Sequence, residues 1–135
     1  MATLSVSITP SPSKLGNAFL RGNLSNFLKG EINRLAMSVE RYAKQLAPVG
    51  TPESTHRKRY VGGRLRASIH TTPFLTGLGA WVSTKTNYAI FVHDGTRYMR
   101  ARPFMTTGAA FAQVAELKDI NIRLDKEFTK AFKTL

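Results

Sequence analysis

Between Ser13 and Pro48, apolar residues recur at gaps of three and four: Leu15, Phe19, Leu20, Leu24, Phe27, Leu28, Ile32, Leu35, Ala36, Val39, Tyr42, Ala43 and Leu46. That spacing predicts one long amphipathic helix, capped at Ser13 and stopped by Pro48. A stripe of this length must lie on a second layer, so the rest of the chain has to supply one. Gly16, Gly22 and Gly30 each cost about 1 kcal/mol relative to alanine inside a helix. The first two fall in the early turns, and 26–47 is therefore the expected continuous part.

The second layer is legible in pieces. Leu4 to Thr9 alternates apolar and polar at period two before Pro10 and Pro12, which reads as an extended arm over 1–13 with a short edge strand. Leu65, Ala67 and Ile69 alternate with Arg66, Ser68 and His70, a strand pattern that also fits a helical turn running into a strand. Gly79 to Thr84 suits another strand, with Thr76-Gly77 in the turn before it. The apolar run Tyr88-Ala89-Ile90-Phe91-Val92 fits a short buried helix or a strand, with the helix preferred, leading into Asp94-Gly95, where glycine permits the positive φ of a tight turn. A last helix should begin at Pro103, with Phe104, Phe111, Val114, Ala115, Leu117, Leu124, Phe128, Ala131 and Phe132 on its apolar face. Its spacing slips near Asp119 to Ile122, so a bend or register change is expected there. Together these give an α+β fold in a single domain over 1–135. Its long N-terminal helix and its C-terminal helix pack on a small, mostly antiparallel sheet.

Between the first helix and the strands, Gly50 to Gly63 reads as a long, mobile, basic loop, and compact domains seldom carry one without a use for it. It holds Arg57, Lys58, Arg59 and Tyr60, with Arg64 and Arg66 close behind. A second cluster, Arg97, Arg100 and Arg102, follows Gly95 with Tyr98 among its members. The chain as a whole carries 20 basic and 8 acidic residues, net +12. The excess is concentrated before residue 103, because the last 33 residues are almost balanced at five basic and four acidic. A field of this sign attracts polyanions and acidic protein faces. Arginines beside a tyrosine can follow phosphates and stack on a base. No helix-turn-helix, zinc-finger or ribonucleoprotein motif accompanies them, so sequence-specific reading is not expected.

Other functional classes find little support. There is no cysteine, which excludes disulfides, thiolate metal sites and a cysteine nucleophile. The apolar share of 42% argues against wholesale disorder. Met1 to Ser5 carries neither an early cation nor a long apolar run, so a secretory signal is not expected, nor is any membrane partner. His93-Asp94 is the one adjacent acid–base pair, but neighbouring residues point apart on a helix or strand. Catalysis would also need a nucleophile or metal and a positioning group. The aspartate of a turn is the plainer reading, and no cofactor or metal is expected. His56 and His70 lack ligand spacing, Gly77-Leu78-Gly79 lacks the rest of a dinucleotide fingerprint, and Gly62-Gly63 is no phosphate loop.

Two blocks carry a more specific signal. Gly63-Arg64-Leu65-Arg66-Ala67-Ser68-Ile69 resembles the glycine, x, leucine, arginine, x, serine, isoleucine block of the neck or tail-completion proteins of long-tailed phages, lambda-like and related siphophages. Eighteen residues later, Asn87 to Thr96 followed by Ala101-Arg102-Pro103-Phe104-Met105 resembles that family's second block. That block runs from tyrosine-alanine through an apolar run and glycine-threonine to alanine-x-proline-phenylalanine. The family commonly has glutamate before the glycine-threonine pair, where this chain has Asp94, a similar carboxylate. The Arg57 to Tyr60 insert is longer and more basic than the family pattern.

The resemblance implies a non-enzymatic virion assembly protein at the head–tail interface, made in the host cytoplasm. It implies a hexameric or dodecameric ring of this chain joining the connector or stopper to the tail terminator or tube. Arg57, Lys58, Arg59, Tyr60, Arg64, Arg66, Arg97, Arg100 and Arg102 are then candidate contacts to those partners or, nonspecifically, to DNA in the channel. Tyr88, Phe91, Asp94, Gly95, Thr96, Pro103 and Phe104 form the structural motif. In it Tyr88, Phe91 and Phe104 are expected to anchor the core, Gly95 to make the turn and Asp94 to tie down the arginines. Two other classes compete: a nonspecific nucleic-acid-binding protein, and a basic nuclease or toxin that would need His93 or Asp94.

Overall fold

The computed structural model describes residues 4–8, 23–51 and 62–133. In chain order the elements are β1 (Leu4–Ile8), α1 (Asn23–Leu46), α2 (Arg64–Ser68), β2 (Ile69–Pro73), β3 (Ala80–Thr84), α3 (Ala89–Asp94) and α4 (Phe104–Lys133). The fold is α+β, as the alternation of periods in the sequence requires. The expected helix start at Ser13, the remainder of the arm and the basic loop at 52–61 lie outside the described residues.

The sheet has the order β1-β3-β2 with both pairings antiparallel. Leu4 and Ile69 flank Thr84, and Val6 and Thr71 flank Val82, so matched rows of side chains face the helices. On β3, Ala80, Val82 and Thr84 are buried and Trp81 is exposed on the opposite face against Phe74. This one-sided burial is what period-two patterning produces in an antiparallel sheet. Gly77 takes φ +70 in the turn between β2 and β3, as anticipated there. Of the two readings open for Arg64 to Ile69, the helical turn leading into a strand is the one observed. Leu65 and Ile69, four residues apart, are both buried.

The stripe on α1 runs Leu28, Ile32, Ala36, Val39 and Ala43, all buried, and Ala47 N–H closes the last turn on the Ala43 carbonyl at 2.8 Å. Ala36, Val39, Ala43 and Ala47 form one core with Leu65, Ile69, Val82, Ala89, Phe104, Met105 and Ala112. The Arg66 guanidinium donates to the Ala47 carbonyl at 3.1 Å, capping the negative end of α1. Arg66, a candidate partner contact, thus also has a structural duty.

Helix α4 runs antiparallel to α1 and is unbroken from Phe104 to Lys133, so no break interrupts it near Asp119 to Ile122, where a bend or register change was expected. Its inner face is apolar only at the start. Gly108 lies against Ala43, Glu116 accepts from Ser38 Oγ at 2.7 Å, and Arg123 grips the Glu31 carboxylate with three bonds of 2.8–3.0 Å. Glu31 is buried, and a buried carboxylate persists only when paired and bonded in this way. Phe111, Val114 and Leu117, expected on the buried face, are exposed instead.

A second carboxylate ties β2 to α1. Thr71 Oγ1 donates to Glu40 Oε2 at 2.6 Å, while Lys44 holds Oε1. Partial burial pushes the Glu40 carboxyl up, but the bonds from Lys44 and Thr71 and the charge of Lys44 together outweigh it. The group is therefore held below its ordinary 4.5. A lowered carboxyl contributes stability above its unfolded pKa and loses it as pH falls through the folded one. Glu40→Gln should accordingly lower the unfolding free energy measured in urea at pH 7, by under about 1 kcal/mol for so partly shielded a pair. The gap to the parent should narrow as the pH falls below the ordinary carboxyl range and through the lowered folded value.

Candidate assembly surface

The second sequence block folds into α3 and a connection that doubles back on it before α4 begins. Ala89 and His93, one turn apart, are buried, and Val92 packs partly against the core. Tyr88 and Phe91 are on the outside, 40% and 57% exposed. Of the three rings expected to anchor the core, only Phe104 does so, at 2%. A six-residue helix has one inward line, and Ala89 and His93 occupy it.

Gly95 N–H donates to the Phe91 carbonyl at 2.9 Å, ending α3 with φ +80 and ψ 175. Thr96 and Met99 then exchange backbone bonds of 2.8 and 3.2 Å, closing a tight turn, and the Thr96 hydroxyl accepts from Tyr98 N–H at 3.3 Å. Arg102 N–H returns to the Val92 carbonyl at 3.0 Å. The Pro103 carbonyl accepts from Thr107 N–H at 3.0 Å in the first turn of α4. The arginine segment is therefore fastened by its own backbone. Asp94, expected to hold the arginines, binds His93 Nδ1 at 2.6 Å instead.

What the turn presents is aromatic and cationic. Tyr98 is 90% exposed with the Arg97 guanidinium 5.7 Å over its ring, and Arg100 is exposed beside them. Arg102 joins Val49, Leu65, Tyr88, Val92 and Met99 around a cavity of about 470 Å³ whose lining also includes Gly63, next to Arg64. Arg66 belongs elsewhere, with Arg41 and Lys44 around a separate cavity of about 350 Å³. The structure thus brings Arg97, Arg100 and Arg102 onto one connection, sets Arg64 near it, and separates Arg66. Arg57, Lys58, Arg59 and Tyr60 lie outside the described residues. Arg41 and Lys44 were not picked out by sequence reasoning, although their three-residue spacing on the polar side of α1 puts them on one face.

The adjacent histidine and aspartate do meet, contrary to expectation, because the chain leaves the helix immediately after them. His93 Nε2 lies 3.5 Å from Thr106 Oγ1 on α4, and its ring stands edge-on to Phe104 at 5.6 Å. Carboxylate, imidazole and hydroxyl are thus in line, the order that activates a nucleophile. The last contact is at the outer limit of a hydrogen bond, and Asp94 is largely in water, where its hold on the imidazole is weak. Neither of the two cavities has these three residues in its lining. The trio fastens the end of α3 to the start of α4.

Among the described residues no cluster of three His, Cys, Asp or Glu could hold a metal ion, and no helix is long and apolar enough to cross a membrane. Comparison with protein-family models, with curated proteins and with solved structures finds nothing that matches this chain.

Proposed function

We propose that this chain is a structural assembly protein of a phage head–tail joint, completing the neck or tail. It would act as a ring around the DNA channel between the connector or stopper and the tail terminator or tube. The carrying observation is the backbone-fastened turn that exposes Arg97, Tyr98 and Arg100 beside Tyr88, Phe91 and Met99. Arginine, tyrosine and methionine are the residues enriched where proteins dock, and a turn held in place loses little entropy on binding. The two sequence blocks, in family order and spacing, supply the phage context. Partners with acidic faces suit a +12 subunit, and a ring would repeat that charge around the channel.

The charge also favours a second reading, nonspecific nucleic-acid binding, and one variant separates the two. Arg97→Glu/Tyr98→Ser/Arg100→Glu alters only exposed side chains and should fold normally. On the assembly reading it reduces the joining of purified filled heads to tails by about a hundredfold, as expected when several hot-spot contacts are lost together. On the second reading the free parent protein binds duplex DNA with a steep salt dependence, and the variant weakens that binding while joining proceeds unchanged.

A further inference from the structure

Helix α4 carries two stripes, and α1 covers only one of them. The inner stripe is Met105, Gly108, Ala112, Glu116, Arg123 and Glu127, polar beyond its first turns. The other runs Ala110, Val114, Leu117, Asn121, Leu124 and Phe128 at gaps of four, three, four, three and four. This is a heptad seam, with Val114, Asn121 and Phe128 at its a positions and Ala110, Leu117 and Leu124 at d. Ala110, Val114, Leu117 and Asn121 are exposed, Val114 at 81% and Leu117 at 55%, while Leu124 and Phe128 are half-buried. Over this stretch the helix turns polar residues toward its own domain and apolar residues outward. That inversion is the pattern of a helix that packs on both sides.

We infer that this seam is a self-association surface, and that its occupant is α4 of a second copy in antiparallel orientation. The charges beside the seam set the direction. Lys118 and Asp125 hold consecutive e positions, both are exposed, and among the described residues neither enters an ion pair within the chain. With Asn121 opposite Leu124 of the second copy, Lys118 meets Asp125 of that copy, and the two-fold axis repeats the pair. In a parallel pair Lys118 would face Gln113 and Asp125 would face Ile120, with no complementarity. The polar Asn121, set opposite Leu124, costs the seam strength, and the seam's direction is set by the charges alone. Such a contact closes on itself and does not propagate a ring. It would couple two chains, or two rings, back to back, and it stands independently of the assembly reading.

Sedimentation of the full chain over a concentration series tests this. The parent should dimerise reversibly, and Leu117→Asp should weaken dimerisation by about a hundredfold, since it places a charge in an apolar seam. At concentrations where both proteins are monomeric its thermal unfolding should match the parent's, because Leu117 makes no part of the core. Lys118→Asp and Asp125→Lys should each weaken the dimer by about tenfold through like-charge contacts, and the double variant should recover it. A parent that stays monomeric, a Leu117→Asp variant that associates like the parent, or charge reversals that fail to compensate would each overturn the inference.

Discussion

Gly108→Val should cost about 3 kcal/mol or more of folding stability, as overpacking against backbone does when nothing can move aside. The first carbon of any side chain there would stand 2.7 Å from the Ala43 nitrogen and 2.9 Å from its Cα. Those atoms belong to α1, and Ala43 is itself fully buried. Relief would require the two long helices to separate along the contact that organises the core. Gly30 provides the control, because a Cβ added there meets nothing within 4 Å. Gly30→Ala should therefore stabilise by about 1 kcal/mol, the ordinary helix-propensity gain. Opposite signs for two helical glycines in urea unfolding would identify close helix approach as the cause. A Gly108→Ala variant as stable as the parent would remove it.

The sequence treated Gly30 as a propensity cost, and nothing in the local pattern marked Gly108 as different. The difference lies in a partner 65 positions away in the chain. Separations of 92 and 78 positions hid the bonds of Glu31 to Arg123 and of Ser38 to Glu116, polar side chains that look solvated until two helices are placed side by side. Periodicity alone was enough for α1 and β3, because a single buried line dictates each, whereas the apolar run Tyr88 to Val92 fits a helix or a strand equally in pattern. It misled on α4, where residues from two stripes were pooled into one apolar face. The apparent slip near Asp119 is the passage between stripes on an unbroken helix, the register change of the two alternatives. Tyr88 and Phe91 were assigned inward for their size, although helical phase gives that side to Ala89 and His93. The basic connection was legible as composition, while its backbone fastening was not.

Gly95 is the position where the local sequence and the observed conformation agree most closely, and its replacement should be the more damaging of the two. At φ +80 and ψ 175 it occupies a region open in practice to glycine alone, which costs other residues about 1–3 kcal/mol. A Cβ would also lie 2.6 Å from the Ala101 nitrogen and 2.9 Å from the Met99 carbonyl oxygen, both backbone atoms of the returning segment. Strain and collision act together, so Gly95→Val should lose about 4 kcal/mol. The loss should be unevenly distributed. Amide exchange should quicken first at Thr96, Met99 and Arg102, whose backbone bonds hold the turn, and only later in α1 and β3. If the exposed arginine turn is the docking surface, head–tail joining should fail at temperatures where the core of this variant is still folded. Parent-like exchange at those three amides would show that Gly95 does not hold the turn. Joining that persisted after their protection had gone would separate the turn's geometry from assembly.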